Sequence, residues 1–417
     1  MHRRGRFVDH SSPLRVVLYS HDSVGLGHTR RNLALAHALA GQMPALTGRP
    51  VAGLLLSSLS MPAHHLPPGF DLVAVPSVGK SDGSYNPRHL GVDVGEVVRL
   101  RAAILRAAVL GFGPDLIIVD RHVHGLGGEL AETLPAVRAR YPRTQIVLGL
   151  RDVLDDPRAA AAEWDRLNLG AVRRQLDAIW VYGDPRVHDL RSTGELPSEL
   201  TDLVRFTGYL SRGREPLADS EHSHPYVLTM VGGGSDGLAL CRTAARSAVP
   251  TGHRHVVVTG PQMSDEDHAE VQAHAGPDVQ VVRTVRDGVG SIRGAAALVA
   301  MAGYNTLAEV MAHPVPTLLV PREEPRREQL IRARALERAG VVDLVRARHL
   351  DPQGLGQWLT GAVTRRVDRS AIALDGLAAV GALATDLLVG GEQGPAQRPA
   401  RTRARTPALR GVRNAAV

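Results

Sequence analysis

The chain has one cysteine, Cys241, among its 417 residues, and few aromatic side chains. A single thiol cannot form an intrachain disulfide, which favours a reducing compartment. Aromatic residues make up 3% of the chain, so a core must be built from aliphatic side chains. No apolar run approaches the roughly 20 residues needed to cross a bilayer, and the basic start lacks the apolar centre of a secretion signal. We therefore expect a cytoplasmic protein of bacterial type.

Lysine is also nearly absent, since Lys80 is the only one, and arginine supplies most of the net charge of +7. Six arginines follow Glu392 with no acid among them, and the remainder of the chain carries +1. This composition predicts a disordered basic tail over 392–417, and we also expect disorder over 1–13. The alternative is that the tail contacts an acidic partner or the inner face of the plasma membrane. We expect no nucleic-acid partner.

Short aliphatic runs alternate with segments of helical pattern throughout the chain, as in α/β proteins with parallel sheets. A polar segment rich in proline, following Leu203–Arg212, divides the alternation into two arrays. We predict two Rossmann-like domains facing each other across a cleft, an acceptor-side domain at 14–213 and a donor domain at 214–391. The predicted strands are Leu14–Ser20, Val51–Leu56, Leu72–Val75, Pro114–Asp120, Gln145–Leu150, Ala178–Tyr182, Tyr226–Val231, 254–259, 279–283, 297–301 and 317–320. Ala178–Tyr182 is expected to be the last strand of the first half.

Titratable side chains follow the first strand in a glycine-containing turn that leads into a helix. His28 is the candidate general base, because imidazole titrates near neutral pH; the alternative is that it only caps the turn or binds ligand. Asp22 is the reserve, either as base or as the group that orients a histidine. We expect four side chains to line the acceptor side of the cleft: His21, Lys80, Asp120 and Arg121.

Two short patterns in the first half suggest other chemistry. The GKS containing Lys80 lacks the earlier glycine that a phosphate loop requires, so we reject that interpretation. Asp152, Asp155 and Asp156 resemble a manganese-binding pattern, but acids at a helix N-terminus explain them more simply. We predict no metal site and no cofactor.

The stretch Ala302–Gln329 has the features of a nucleotide-diphosphate site. A helix N-terminus with unpaired N–H groups suits a diphosphate, and Glu309 could accept both hydroxyl hydrogens of a ribose diol. Thr306 and Glu309 also fit a capping box, which would leave them with a purely structural role. The arginines after the next strand are expected to be solvated: Arg322, Arg326 and Arg327.

Three motifs together resemble a known family: YSHDSVGLGHTRR, LGLRDVLDDP and AGYNTLAEV. They are similar to MurG-like glycosyltransferases of the GT-B fold, of the glycosyltransferase family 28 C-terminal-domain type, and to a group of bacterial predicted glycosyltransferases. The resemblance spans roughly Arg15 to Gly340. It implies transfer of a hexose or amino sugar from a nucleotide-diphosphate sugar, by default a UDP-sugar, with inversion and without metal. The acceptor stays open among a lipid, a polysaccharide and a small natural product.

The resemblance also implies roles for individual residues. Gly27 and His28 match a loop that faces donor phosphate and acceptor. Arg212, in the TGxxxR linker beginning at Thr207 and Gly208, matches an arginine that contacts the donor diphosphate. Gln329 matches a sugar-reading glutamine, and Glu328 departs from the family's glutamine pair. The implied donor-binding set is Gly27, Arg212, Gly233, Gly234, Ser235, Gly303, Tyr304, Asn305, Thr306, Glu309, Glu328 and Gln329.

Three other functions remain open. A nucleotide-sugar epimerase or hydrolase can share this fold, and a non-catalytic sugar-nucleotide-binding protein would use the same donor site. Gly232, Gly234 and Gly237 match the spacing of a dinucleotide fingerprint, which would indicate an NAD-dependent oxidoreductase. The next strand has no acid at its end for the ribose, which weighs against that function.

Overall fold

The structure is a computed structural model that describes residues 12–21, 27–58, 65–81, 84–214 and 224–392. Most of each end predicted to be disordered, 1–11 and 393–417, lies outside these ranges, as does the candidate Asp22. Within the described part, no helix combines the length and apolar character needed to span a membrane.

The first half builds a seven-stranded parallel sheet with the strand order β3-β2-β1-β6-β7-β8-β9. Its strands and the small antiparallel hairpin β4–β5 are β1 Leu14–Tyr19, β2 Val51–Ser57, β3 Phe70–Ala74, β4 Val78–Ser81, β5 Ser84–Pro87, β6 Leu116–Asp120, β7 Gln145–Arg151, β8 Ala178–Tyr182 and β9 Val204–Phe206. The helices of this half are α1 Gly27–Thr47, α2 Val94–Phe112, α3 Thr133–Arg140, α4 Pro157–Trp164 and α5 Leu169–Gln175, with 3-10 turns at Leu126–Gly128 and Ser198–Leu203.

The second half builds a six-stranded parallel sheet with the order β12-β11-β10-β13-β14-β15. Its strands are β10 Tyr226–Met230, β11 Arg254–Val258, β12 Val279–Val282, β13 Ala297–Ala300, β14 Thr317–Leu319 and β15 Asp343–Leu344. Its helices are α6 Leu238–Ala245, α7 Asp265–Ala273, α8 Gly288–Gly294, α9 Tyr304–Met311, α10 Glu328–Arg338, α11 Pro352–Ala362 and α12 Gly376–Glu392, with a 3-10 turn at Ala347–His349. The predicted fold class, two parallel-sheet α/β domains, is confirmed.

Local sequence explains where helix α2 begins and ends. The carboxylate of Asp93 accepts a hydrogen bond from the N–H of Gly95 at 2.7 Å, as an N-cap does. Gly113 ends the helix with φ of 65°, and its N–H bonds to the carbonyl of Val109. A left-handed residue at this position is typical of a glycine C-cap.

Three strand predictions were wrong or incomplete. Ala178–Tyr182 is not the last strand of its half, because Val204–Phe206 pairs with it in parallel at the sheet edge. The polar loop containing Lys80 forms the hairpin β4–β5, and β15 was not predicted. These elements have two to four residues, too few to show a periodic hydrophobic pattern.

The strand order reverses beside the first strand of each sheet, between β1 and β6 and between β10 and β13. Open α/β sheets bind ligands in the crevice outside the carboxyl ends of such strands. His21 and Asp120 lie at that edge of the first sheet, and Gly232 and Gly303 at that edge of the second. Topology therefore brings the predicted site residues to the two edges where binding is expected.

One apolar cluster joins the two halves, with members from β1, α1, α9, α10 and α12. The last helix packs along α1, where Gln42 Nε2 donates to the carbonyl of Leu377 at 3.0 Å. The predicted boundaries at 214 and 391 stay a prediction. The structure adds that the end of the second half returns to the surface of the first.

Candidate functional site

His28 lies in the first turn of α1 and faces Asp120 at the end of β6. Its Nδ1 is hydrogen-bonded to Asp120 Oδ2. Arg31, one turn along α1, donates through Nε to Oδ1 at 3.0 Å and through Nη2 to Oδ2 at 2.5 Å. A carboxylate only accepts, so the His28 tautomer with its proton on Nδ1 satisfies this contact and leaves Nε2 as the acceptor. Arg31 Nη2 lies 3.0 Å from the same Nδ1. The His28 side chain is 21% exposed and Asp120 is buried, so this base has access to the cleft.

Electrostatics keeps the Asp120 carboxyl ionised. Burial on its own would raise the pKa of Asp120, but the charge of Arg31 and the hydrogen bonds from His28 and Arg31 outweigh it and hold the pKa well below its usual value. An ionised Asp120 can stabilise an imidazolium form of His28 after proton uptake, and orients the ring before it. The role of His28 as general base stays a prediction.

His21 lies beside the ring of His28, and His122 lies beside the ring of His21. The ring centroid of His21 lies 4.2 Å from that of His28 and 5.0 Å from that of His122. Burial, followed by the charges of its two histidine neighbours, lowers the pKa of His21 well below the usual value. Burial, followed by the charge of Arg121, lowers the pKa of His122 in the same direction. Both rings are therefore neutral near pH 7.

The other acceptor-side candidates fall in different places. Arg121 follows β6 with φ of 69°, a left-handed conformation that a side chain of this size rarely adopts, and bonds to Glu163 at 2.6 Å. Strained backbone is often found at functional sites. Lys80 lies in β4, and its side chain is outside the described part of the structure. His124, in the turn that follows Arg121, bonds to Gln175 at 2.9 Å.

The N-terminus of α9 lies opposite the start of α1. Gly303 is the N-cap and supplies no side-chain cap, and a Cβ there would meet no described atom within 4 Å. Asn305 Nδ2 donates to the carbonyl of Gly27 at 2.7 Å. Thr306 is the third helical residue and not the cap, so the capping-box alternative is wrong. The first N–H groups of α9 thus have no side-chain cap from Gly303, and uncapped N–H groups of this kind can bind an anion.

Tyr304 is buried beneath that helix end. Its ring lies between two guanidinium groups, with the Cζ of Arg31 at 5.6 Å and the Cζ of Arg332 at 5.8 Å from the centroid. Its hydroxyl accepts from the N–H of Leu210 at 3.3 Å. The side chain joins the domains, so a donor contact could come only from its backbone.

Glu309, the candidate ribose ligand, lies in α9 with 3% of its side chain exposed. Its Oε1 accepts from Arg30 of α1 at 2.5 Å and from Arg214 of the linker at 3.4 Å. Oε2 lies near the start of α8, where a Cβ on Gly288 would be 3.8 Å away. Neither arginine was a predicted site residue. Both were visible in the sequence, Arg30 two residues after His28, but charge alone did not indicate their partner.

Arg212, the arginine assigned to the diphosphate by resemblance, points elsewhere in this structure. Its Nη1 bonds to Asp375 at 3.0 Å, and its side chain is 53% exposed. Gly208 in the same motif has φ of 87°, and a Cβ there would lie 2.9 Å from the carbonyl oxygen of Ala373. The glycine is thus required by close packing. The diphosphate role of Arg212 stays a prediction.

The glycine turn after β10 packs against the loop after β11. A Cβ on Gly234 would lie 2.2 Å from the Thr259 carbonyl oxygen, and one on Gly233 would lie 2.6 Å from Gln262 Oε1. Ser235 is exposed at the same turn. The backbone contact accounts for Gly234 structurally, whereas the Gln262 side chain could move away from a Cβ on Gly233. The turn lies at the cleft edge of the second sheet, where a donor role is still a prediction.

Glu328 and Gln329 begin α10 and are held by Arg322, which was expected to be solvated. Arg322 donates to Glu328 Oε1 at 2.6 Å, and its backbone N–H donates to Gln329 Oε1 at 3.2 Å. Glu328 Oε2 is buried and has no hydrogen-bond partner among the described residues. Burial, followed by the charge of Arg332, lowers the pKa of the nearby Arg151 to about 9. Arg151 at the end of β7 was not a predicted site residue.

The acids of LGLRDVLDDP form contacts between the domains. Asp152 binds Arg332, whose Nε donates to its two carboxylate oxygens at 2.8 and 3.0 Å. Asp155 accepts from the N–H of Arg327 at 2.9 Å. Asp156 caps α4, as the helix N-terminal explanation predicted. The expectation that Arg326 is solvated was wrong, because Arg326 bonds to Glu163 at 3.2 Å. The side chain of Arg327 is 55% exposed, as expected.

Comparisons with known proteins agree with this arrangement. Residues 228–370 match the family model of the glycosyltransferase family 28 C-terminal domain. The match covers most of the second half of the chain, and the chain as a whole has the GT-B fold of the glycosyltransferase structures that it resembles. An uncharacterized glycosyltransferase of Methanosarcina mazei is 22% identical over 326 residues, covering 76% of this chain and 82% of the relative.

Solved structures show the same fold at low identity. The glycotransferase of kitacinnamycin superimposes with a TM-score of 0.56 at 16% identity, covering 92% of this chain and 98% of its own. UGT2 of Phytolacca americana, complexed with UDP-2-fluoro-glucose and pterostilbene, gives 0.53 at 13% identity, with 92% and 94% covered. These likenesses concern architecture, so the roles of individual residues rest on the geometry above.

Proposed function

We propose that this GT-B glycosyltransferase moves a hexose or amino sugar from a nucleotide-diphosphate sugar to an acceptor hydroxyl. The observation that carries the proposal is the His28–Asp120 pair facing the uncapped N-terminus of α9 at the contact between the domains. A base and a site for a departing diphosphate are the two groups that direct displacement requires. UDP is the proposed nucleotide, in keeping with the donor analogue bound by the Phytolacca enzyme.

The proposed reaction is a single displacement at the anomeric carbon. Nε2 of His28 takes the proton of the acceptor hydroxyl as its oxygen bonds to that carbon. The bond to the diphosphate oxygen breaks on the opposite face, which inverts the configuration. The α9 N-terminus and nearby guanidinium groups balance the charge of the leaving diphosphate, so we propose that no metal is needed.

Glu309 is proposed to bind the ribose, and Gln329 and Glu328 the transferred sugar. For ribose binding, hydroxyl hydrogens must reach Glu309 Oε2 or replace the arginines now paired with Oε1. The acceptor is proposed to be a lipid, a polysaccharide or a small natural product. Contact of the basic tail with a membrane is a further proposal, about a segment outside the described residues.

A thermal-shift screen with nucleoside diphosphates and nucleotide sugars tests the donor assignment. We expect stabilisation by UDP or a UDP-sugar, and weaker binding by on the order of 1–3 kcal/mol in Glu309→Gln, because a buried partner of the ribose is altered. Glu323→Gln is the matched control, since Glu323 pairs with Arg346 at the surface. An unchanged shift in Glu309→Gln would remove the ribose assignment.

Stereochemistry and the base require a turnover assay with the donor that the screen identifies. His28→Ala should lower the rate by about 10²–10⁴-fold, and a rate within about tenfold of the unmodified enzyme would exclude His28 as base. The anomeric configuration of the product, read by NMR, checks inversion. Release of free nucleotide diphosphate without any acceptor would favour the hydrolase or epimerase alternative.

A further inference from the structure

Three separate segments of the chain meet at the carboxylate of Glu309. Arg30 comes from α1 of the first domain, Arg214 from the linker, and Glu309 from α9 of the second domain. Among the described residues, Glu309 is the only carboxylate within ion-pair distance of either arginine. Two positive charges thus share one negative charge, and the group carries an excess of one positive charge.

Arg214 has hydrogen-bonding capacity left over. Its Nε donates to the carbonyl of Leu210 at 2.7 Å, and its Nη1 lies 3.4 Å from Glu309 Oε1. Its Nη2 is buried and has no hydrogen-bond partner among the described residues. A buried donor without an acceptor costs free energy, and a phosphate oxygen is an acceptor that matches a guanidinium in charge and geometry.

The position of the arginines matches the place where the proposed function requires phosphates. A ribose on Glu309 and a diphosphate at the N-terminus of α9 would be contiguous parts of one nucleotide. Arg30 and Arg214 both contact Glu309, the carboxylate proposed to bind the ribose. Arg212, by contrast, is turned towards Asp375 at the surface.

We propose that Arg30 and Arg214 bind the donor diphosphate, exchanging their shared contact with Glu309 for phosphate oxygens when the nucleotide enters. This proposal rests on the proposed function. It leaves Glu309 free to accept the ribose hydroxyls.

The test measures how much the affinity rises from uridine to UMP to UDP, because this increase is the contribution of the phosphate groups. Dissociation constants for uridine, UMP and UDP are measured by calorimetry on the full chain and on Arg30→Gln and Arg214→Gln, with competition against UDP for the weak ligands. We expect each substitution to weaken UDP binding by about tenfold to a hundredfold, as for loss of a charge-assisted hydrogen bond. Uridine affinity should be unchanged or higher, because Glu309 loses a competing partner.

Three comparison variants make the result specific. Arg173→Gln is the control, since Arg173 pairs with Asp202 on the outer surface of the first domain. Arg214→Lys, which keeps the charge without the planar fork, should restore part of the UDP affinity. Arg212→Gln should lower the ratio of UDP affinity to uridine affinity less than Arg214→Gln does.

The proposal is overturned if Arg30→Gln and Arg214→Gln weaken uridine and UDP equally, which would indicate a structural role only. It is also overturned if the ratio of UDP affinity to uridine affinity is unchanged in both variants, or if this ratio falls in Arg212→Gln alone. If the unmodified chain binds none of UDP, dTDP, GDP and ADP, the proposed function is contradicted instead. That result comes from the unmodified chain and does not depend on any variant.

Discussion

Replacing Asp120 with asparagine isolates the charge that organises the base. The substitution keeps the shape of the side chain and removes the negative charge that Arg31 and His28 share. Asp120 and Arg31 are both buried, so the guanidinium would lose its counter-ion in a place that water reaches poorly. Removal of one partner from a buried ion pair typically costs about 3–5 kcal/mol. We expect Asp120→Asn to lower the free energy of unfolding by about that amount at pH 7.

The effect should depend on pH in a direction fixed by the carboxyl group. The folded state holds the pKa of Asp120 well below its usual value. The contribution of the charge is therefore complete above about pH 4, the ordinary carboxyl value in an unfolded chain, and is lost as the pH falls through the folded pKa. The difference between the unmodified protein and Asp120→Asn should be constant from pH 7 to about pH 5, and smaller at the lowest pH at which both stay folded.

The measurement is urea unfolding followed by circular dichroism, with Asp115→Asn as the matched control. Asp115 lies close to the same strand, but its side chain is 38% exposed and its ion pair with Arg49 is 3.3 Å long. Exposed pairs contribute at most about 1 kcal/mol. A loss below about 1 kcal/mol for Asp120→Asn, or the same loss at every pH, would refute the assignment of a buried charge to this site.

Three further predictions concern other parts of the chain. His255→Gln should remove a loss of stability in acid, because burial lowers the pKa of His255 to about 4. As the pH falls below about 6.5, His255 takes up a proton in the unfolded chain before it does so in the folded protein. Between pH 7 and pH 4.5, the free energy of unfolding measured in urea should therefore fall by about 2–3 kcal/mol more in the unmodified protein than in the variant. Gly208→Ala should lower the melting temperature, since φ is 87° and the carbonyl of Ala373 is too close for a Cβ, whereas Gly361→Ala, in open space within α11, should not lower it. Glu328→Gln should change the ratio of kcat/KM between glucose and N-acetylglucosamine donors by about tenfold, the value of one or two hydrogen bonds; an unchanged ratio would exclude Glu328 from sugar recognition.

The sequence predicted those site residues that follow directly from strand ends. Aliphatic runs located β1 and β6, and the rule that ligands bind at carboxyl ends placed His28 and Asp120 at one cleft. It did not predict that they pair, or that Arg31 completes the contact. That information depends on how α1 lies across the sheet, which the packing of α1 against α9 and α12 determines.

The arginines were the least predictable part, and the reason is physical. An arginine in a single sequence is by default a solvated side chain, and partners far apart along the chain leave no local pattern. Arg332 and Asp152 are 180 residues apart, and Arg30 and Glu309 are 279 apart. In the structure, LGLRDVLDDP supplies the acids and the segment after β14 supplies the bases, so two segments with no obvious charge relation form one contact. That contact positions α10, which carries both Arg332 and the pair Glu328 and Gln329. The ion pairs between the domains and the proposed sugar recognition therefore depend on the same helix.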